Sequence, residues 1–468
     1  MAVKASEYNL LFKGPHGMTH LFNFCTRALV TLDQRAEQVY RDLMQGKPVT
    51  DPTMFAELLR GRFAVPAEID ERAWIRTSYY AARFVQHNLG LTIAPTLRCN
   101  FGCSYCFEDP GGATDMDART MEDLCAFVKF LMPRMRTVGI TWYGGEPTLR
   151  IDIIRTLSRR FRSICQENNV RYGAGMITNG YLLDQLTDED FKELALGSIQ
   201  ITIDGPRDVH NSRRPLRGGG DTYDRIIRNV KRIAILNRCQ VSLRVNVDQL
   251  NVSYVRSLLL DLKGHGLDEH PSVIVNLAPV HALSKFCRNI DHHCLAPSQY
   301  SAIEPDLYIE AARSGFPYAC YPITPWGTCG ATRLHAYVVD PDGHLQKCWN
   351  TVGHPDKRVG HISDLKLAEP LLHTGTPLLQ RWLNWDPLQT DCSQCRYFPL
   401  CQGGCPFKSL YPDEVREISS NQCSRWRFNL EAALNGFLAC KTEGLRTAVL
   451  RSERPGGSAN KERKEVSA

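Results

Sequence analysis

The sequence predicts an α/β fold: six βα units in a partial (β/α)6 barrel, a small winged-helix-like module before it and a cysteine-rich domain after it. Three observations predict it. Between about residues 90 and 300, short Val/Ile/Leu-rich runs alternate with amphipathic segments, as parallel strands joined by helices do. A compact cysteine loop, Cys99-x3-Cys103-x2-Cys106, follows the first of those runs. A second cysteine array occupies the last third of the chain, up to Cys423.

The 468 residues suggest two or three domains, expected at 1–85, 86–310 and 311–445. Residues 446–468, ending in RSERPGGSANKERKEVSA, read as a charged disordered tail. In the first module, Tyr8–Phe12 and Phe22–Thr31 read as strands around the turn Gly14-Pro15-His16-Gly17. Asp33–Gln45 is an amphipathic helix with Ala36, Val39, Tyr40 and Leu43 on one side. Asp51–Leu59 is a second helix, capped by Thr50 or Asp51. Such a module serves either as a structural cap or as a peptide-recognition element that takes its ligand as an added strand.

The barrel strands are expected at Leu91–Pro95, Gly139–Tyr143, Gly175–Thr178, Ser198–Ile203, Val241–Val247 and Val273–Pro279. Their near-continuous apolar character predicts burial on both faces. Met121–Met132, Ile151–Gln166 and Tyr223–Leu236 supply helices between them.

Composition narrows the setting. Apolar residues make up 43%, but no run of eighteen of them exists, so no membrane-spanning helix is expected. The start MAVKASEYNLLFKG lacks a signal-peptide core, which predicts a cytoplasmic protein. In that compartment thiols stay reduced, so eighteen cysteines in clustered spacings favour metal ligation over disulfides. The net charge of +6 is spread out and indicates neither nucleic-acid nor membrane binding.

Three thiolates in one loop can hold three irons of a cubane cluster and leave the fourth iron open; closed clusters usually take four cysteines. A zinc knuckle is the alternative on spacing alone. At the expected C-terminal mouth of the strands, strand two ends in Gly144-Gly145-Glu146-Pro147, strand three in Thr178 and Asn179, and strand four in Asp204. Arg244 and Asn246 lie on strand five. These polar residues suit ligand contacts, although turns and helix caps use the same types.

Residues Arg98 to Cys106, with Tyr105 before the third cysteine, resemble the signature loop of radical S-adenosylmethionine (SAM) enzymes. Those enzymes use a six-strand partial TIM-type barrel. The resemblance implies a catalytic [4Fe–4S] cluster on Cys99, Cys103 and Cys106. In the family the open iron binds the amine and carboxylate of SAM, and one electron releases a 5′-deoxyadenosyl radical. Gly144-Gly145-Glu146-Pro147 resembles the family's GGEP motif, whose backbone and glutamate take the SAM amino group. Tyr105, Thr178, Asn179, Asp204, Arg244 and Asn246 are the further SAM contacts expected.

The later array, Cys329-x13-Gly343-x4-Cys348, then Cys392-x2-Cys395-x5-Cys401-x3-Cys405 and Cys423, resembles the SPASM domain. This implies two auxiliary [4Fe–4S] clusters, hence three in all. Cys329, Cys348 and Cys405 would hold the first, and Cys392, Cys395, Cys401 and Cys423 the second. Cys320 is positioned as an additional ligand of the first, one that the pattern does not require. Of the remaining cysteines, only Cys287 and Cys294, near His292 and His293, suggest a further role; the others read as buried hydrophobes.

SPASM radical enzymes mostly modify peptides or protein side chains. The resemblance therefore implies a precursor-peptide substrate and an electron donor such as flavodoxin or ferredoxin. A thioether, C–C or C–O crosslink is the expected outcome. Formylglycine formation in a sulfatase, epimerisation and another protein or cofactor maturation are the alternatives; a non-catalytic electron carrier is the reading from another class. Sulfatase-maturing enzymes carry an aspartate directly after the cysteine of their Pro-Asp-Gly segment. Here Pro341-Asp342-Gly343 leads to Cys348 and then Trp349, which favours crosslinking.

Overall fold

The computed structural model describes residues 2–108, 114–322, 329–365, 376–415 and 422–447. The expected tail lies outside them from residue 448 onward. At the N-terminus, β1 (Val3–Ala5) is followed by an antiparallel sheet of β2 (Asn9–Lys13), β3 (Thr19–Asn23) and β4 (Leu29–Leu32). The single strand expected over Phe22–Thr31 is thus two. The Asn23 side chain accepts hydrogen bonds from the Cys25 and Thr26 amides, and Arg27 turns the chain at a φ of 64°.

Helix α1 (Gln34–Met44) is capped by Asp33, and α2 (Pro52–Arg60) by Asp51, which accepts from the Thr53 and Met54 amides. Strand β5 (Ala64–Pro66) pairs with β1, and α3 (Glu71–Arg83) leads to the barrel. This small sheet is covered on both faces. Leu21 and Leu32 pack with Ala36, Tyr40, Leu43 and Leu58 in a local core, whereas Tyr8, Phe12, Phe22 and Phe24 join the main core.

Six parallel strands follow, each beside the next in chain order: β6 (Asn88–Ile93), β7 (Thr137–Trp142), β8 (Arg171–Thr178), β9 (Leu196–Thr202), β10 (Gln240–Val247) and β11 (Val273–Pro279). The intervening helices are α4 (Ala118–Leu131), α5 (Ile151–Glu167), α6 (Asp188–Glu193), α7 (Arg207–Arg213), α8 (Tyr223–Leu236) and α9 (Val255–Gly264), with α10 (Pro297–Arg313) after β11.

The expectation of burial on both faces needs correcting. In β10, Val241, Leu243, Val245 and Val247 are buried, while Ser242, Arg244 and Asn246 are half-buried. The apolar face packs into the core; the other borders an open cavity, so polar side chains keep room for a ligand. Each such aliphatic side chain contributes about 1.5–3 kcal/mol on burial.

The C-terminal residues are built onto the barrel. Strand β12 (Ala336–Val339) pairs in parallel with β6, and β13 (His344–Gln346) and β14 (Gly360–His361) extend the same sheet to nine strands. Short helices α11 (Pro377–Leu383), α12 (Phe398–Cys401) and α13 (Pro406–Leu410) follow, then α14 (Trp426–Thr442), which packs on α10. No helix among the described residues is long and apolar enough to cross a membrane.

Candidate active site

The cysteine loop leaves the C-terminal end of β6 and presses against the end of β7. The Gly145 amide donates to the Thr96 carbonyl (3.2 Å), and the Glu146 amide to that of Arg98 (2.8 Å). A Cβ on Gly144, whose φ is 124°, would sit 2.3 Å from the Thr96 carbonyl oxygen. One on Gly145 would sit equally close, at 2.3 Å, to that of Arg98. The two glycines therefore let the two segments meet backbone to backbone.

A cavity of about 450 Å³ opens beside this junction. Cys99, Cys103, Tyr105, Cys106, Gly144, Gly145, Thr178, Asn179, Arg244 and Asn246 all line it. Glu146, Pro147 and Asp204 stand behind its wall. Glu146 is fully buried, and its carboxylate accepts from the Thr148 amide (3.0 Å), the Thr148 hydroxyl, the Thr178 hydroxyl (2.7 Å) and the Asn179 amide (2.7 Å). Instead of a bare carboxylate facing a ligand ammonium, the side chain ties the end of β8 to that of β7. Asn179 also donates to the Asn100 side chain of the cysteine loop (2.8 Å).

Tyr105 is a hub. Its hydroxyl donates to Asp204 and accepts from Arg214 Nη1 (2.5 Å) and Asn246 Nδ2 (3.2 Å). The other Asp204 oxygen accepts from the Asn246 amide (2.8 Å). Arg213 closes the network from behind, pairing through both Nη atoms with Asp248 at 3.1 and 2.8 Å. Burial opposes the charge on Arg214, but the neighbouring Cys103, Tyr105 and Asp204 outweigh it and hold the guanidinium charged.

The structure adds cavity residues that the sequence reading missed, Arg214, Gln200, Thr202, Glu108, Tyr143 and His281 among them, and brings Trp349 into the same wall. Gln200 and Thr202 could have been found by period two from Asp204. Burial, with Glu146 adding to it, pushes Glu108 up to about 7 despite a hydrogen bond with Tyr143. His281 is held down at about 3 by burial, with Lys408 and Arg244 adding to it. Trp349, the residue after Cys348, meets Tyr143 edge-on with ring centroids 4.0 Å apart.

The thiols of Cys99 and Cys106 are both pushed up to about 12, chiefly by burial, and both feel Cys103. In the C-terminal part, burial and then Cys329 and Cys405 raise the Cys348 thiol. Cys401 faces Cys392 and Cys423, and Arg427 faces Cys423 and Cys395. The chain thus gathers Cys329, Cys348 and Cys405 in one place, and Cys392, Cys395, Cys401 and Cys423 in another. Cys320 is fully buried beside Tyr318 and the Glu304–Arg425 pair. Cys287 and Cys294 point their thiols at the Ser284 and Ile290 carbonyls (3.5 and 3.6 Å) inside a small apolar cluster, the setting of packing residues.

The cysteine sets fit iron–sulfur clusters better than zinc. Among the described residues, only Asp340, Asp342 and His344 form a three-ligand group with all donor atoms within 4.8 Å of one another. Zinc–sulfur bonds of about 2.3 Å would draw three sulfurs closer than that. Asp340 itself accepts from the Asp342 and His344 amides (3.1 and 2.9 Å) and so closes a turn.

Residues 93–253 match the model of the Radical SAM superfamily. The chain is 27% identical to the Fe-coproporphyrin III synthase of Methanosarcina barkeri over 157 residues, 34% of this chain and only 36% of that protein. It is 25% identical over 344 residues to the cysteine-type anaerobic sulfatase-maturating enzyme of Clostridium perfringens, covering 68% of this chain and 88% of that one. Among solved structures, native anSMEcpe with bound AdoMet and Kp18Cys peptide aligns with a TM-score of 0.56 at 19% identity, covering 76% of this chain and 98% of that one. That likeness concerns the fold, and part of the present chain has no counterpart in it.

Proposed function

From a chain that carries a radical SAM domain, and is therefore an enzyme using a [4Fe–4S] cluster and SAM, we propose a maturase that crosslinks a ribosomally made precursor peptide. One observation carries this reading: the cavity lined by the barrel cysteines is also walled by the residues that follow Cys348. Trp349, next to Cys348, lines the same space as Cys99, Cys103 and Cys106. A crosslink removes two hydrogens from the peptide, one as an atom and one as a proton plus an electron. When bound, SAM on its cluster supplies the radical that takes the atom, and auxiliary clusters supply an electron acceptor.

In this reading Cys99, Cys103 and Cys106 hold the SAM cluster. Cys329, Cys348 and Cys405 hold one auxiliary cluster, and Cys392, Cys395, Cys401 and Cys423 the other. The backbone of Gly144 and Gly145 suits the SAM ammonium, and Arg214 suits its carboxylate. Tyr105, held by Asp204 and Asn246, fixes Arg214 in place. Glu108, which lines the cavity, is the carboxylate placed to take the proton. The free edge of β4, with Val30 and Thr31 exposed, supports leader binding by strand addition. In this reading a flavodoxin or ferredoxin supplies the electron, in the cytoplasm where thiols are kept reduced.

The second reading is sulfatase-type maturation, favoured by the match to sulfatase-maturating enzymes over 68% of this chain. A tryptophan in place of the aspartate after the auxiliary cysteine speaks against it. The test uses reconstituted full-length enzyme with SAM, dithionite and the peptide encoded by a neighbouring short reading frame. The expected result is 5′-deoxyadenosine and a peptide lighter by two hydrogens. Formylglycine in a sulfatase peptide would favour the second reading, an unchanged mass with inverted chirality would mean an epimerase, and no 5′-deoxyadenosine would overturn the radical chemistry.

A further inference from the structure

The stretch Cys392 to Cys401 has little regular structure of its own: a short 3-10 turn at Asp391–Gln394 and the four residues of α12. Its shape comes from residues more than three hundred positions earlier. Phe24, fully buried beyond the end of β3, meets Tyr397 edge-on at 5.2 Å and 86°. The Arg396 guanidinium lies 5.1 Å from the centre of the same Phe24 ring and donates to the Asn9 carbonyl of β2. Tyr79 of α3 meets Phe398 at 5.2 Å and 67°. Arg72, also on α3, donates to Gln394. The N-terminal module therefore grips the residues on both sides of Cys395 and those leading to Cys401. Aromatic pairs of this geometry contribute about 0.5–1.5 kcal/mol each beyond their buried area, and they fix direction as well as contact.

We propose that the N-terminal module is a wall of the second auxiliary cluster site, with Phe24 and Arg396 as the residues that position its cysteine loop. The loop is too short and irregular to hold its three thiols at cluster spacing unaided. The module's aromatic face supplies the missing rigid side. This inference rests on the reading of Cys392, Cys395, Cys401 and Cys423 as cluster ligands. It gives the module a role distinct from peptide binding, because the gripping face lies on β2, β3 and α3, away from the free edge of β4.

The test is an iron count with electron paramagnetic resonance on full-length, anaerobically reconstituted protein. Cys395→Ala is expected to lose one cluster's worth of iron, and Cys348→Ala to lose a different one. Phe24→Ala and Arg396→Met are expected to lose the same cluster as Cys395→Ala, so that combining either with Cys395→Ala costs no further iron. Combining either with Cys348→Ala should remove a second cluster. Phe24→Leu, which keeps the core filled but removes the ring, should show the same spectral loss if Phe24→Ala does not fold. Full iron and an unchanged spectrum in Phe24→Leu and Arg396→Met would overturn the proposal, as would iron losses that add to that of Cys395→Ala. Unchanged iron in Cys395→Ala alone would overturn the underlying auxiliary-cluster reading.

Discussion

The cysteine loop of the barrel and the loop from Cys392 to Cys401 are held by different means. The first is fixed from within its own domain by a buried polar network: Tyr105 to Asp204, Arg214 and Asn246, with Glu146 and Asn179 bracing the neighbouring strand ends. The second is fixed from outside, by rings of a module far away in sequence, one of which also takes the loop's own Arg396 over its face. Hydrogen bonds in a dry interior specify direction sharply and are costly to leave half made. Aromatic packing is more forgiving and lets a separate module be fitted to a loop. On the proposed reading, the loop that aims an open iron at one ligand sits in the stricter surroundings.

The largest expected effect breaks the comparison outright if it fails. Cys103→Ala should abolish 5′-deoxyadenosine formation while the C-terminal cysteines keep their iron; cleavage that survives would remove the barrel loop from the chemistry. Next is Arg213→Ala, which strands Asp248 in the interior, where both side chains are under a tenth exposed (8% and 4%). Breaking such a pair costs about 3–5 kcal/mol, to be read as a lower denaturant midpoint; a cost near zero would mean that the polar network does not hold the barrel mouth.

Tyr105→Phe sharpens the contrast further. Arg214 and Asn246 lose their shared acceptor and Asp204 a donor, a penalty of about 1–3 kcal/mol. The KM for SAM should rise as Arg214 loses its anchor, without loss of C-terminal iron. The smallest effect belongs to the forgiving side. Tyr80 donates to Asp386 (2.6 Å) between module and C-terminal domain, so Tyr80→Phe should cost only about 0.5–1.5 kcal/mol and leave SAM cleavage at its original rate. A loss comparable to that of Arg213→Ala would show that the outer contacts are as strict as the inner ones.

Much of the barrel was legible because its signals are local. Apolar runs and their spacing marked all six strands, and the helix at Gln34–Met44 carried its own cap at Asp33. The split at Arg27 was not legible, since Asn23 makes that turn through side-chain bonds to amides just ahead of it, which apolar patterning does not register. Of the site, the cysteines and the Gly-Gly pair were visible as short motifs. Arg214 and His281 were not, because no spacing links them to the cysteine loop; they meet it only when the segments after α7 and β11 converge on one mouth, where Trp349, visible in the sequence only as the residue after Cys348, joins them. Glu146 was visible but its place was not, since the four donors that close around it come partly from β8.

The sequence by itself determined which cysteines cluster at ligand spacing and where the barrel strands lie, because both depend on chemistry and periodicity within a few residues. Only the tertiary structure decided what surrounds each cysteine set: a polar network around the barrel loop, an aromatic wall around Cys392 to Cys401, and one cavity that Trp349 shares with the barrel cysteines. Those choices depend on contacts between segments tens to hundreds of residues apart. They are set by how the apolar faces of the sheet and helices pack together, and no local pattern encodes them.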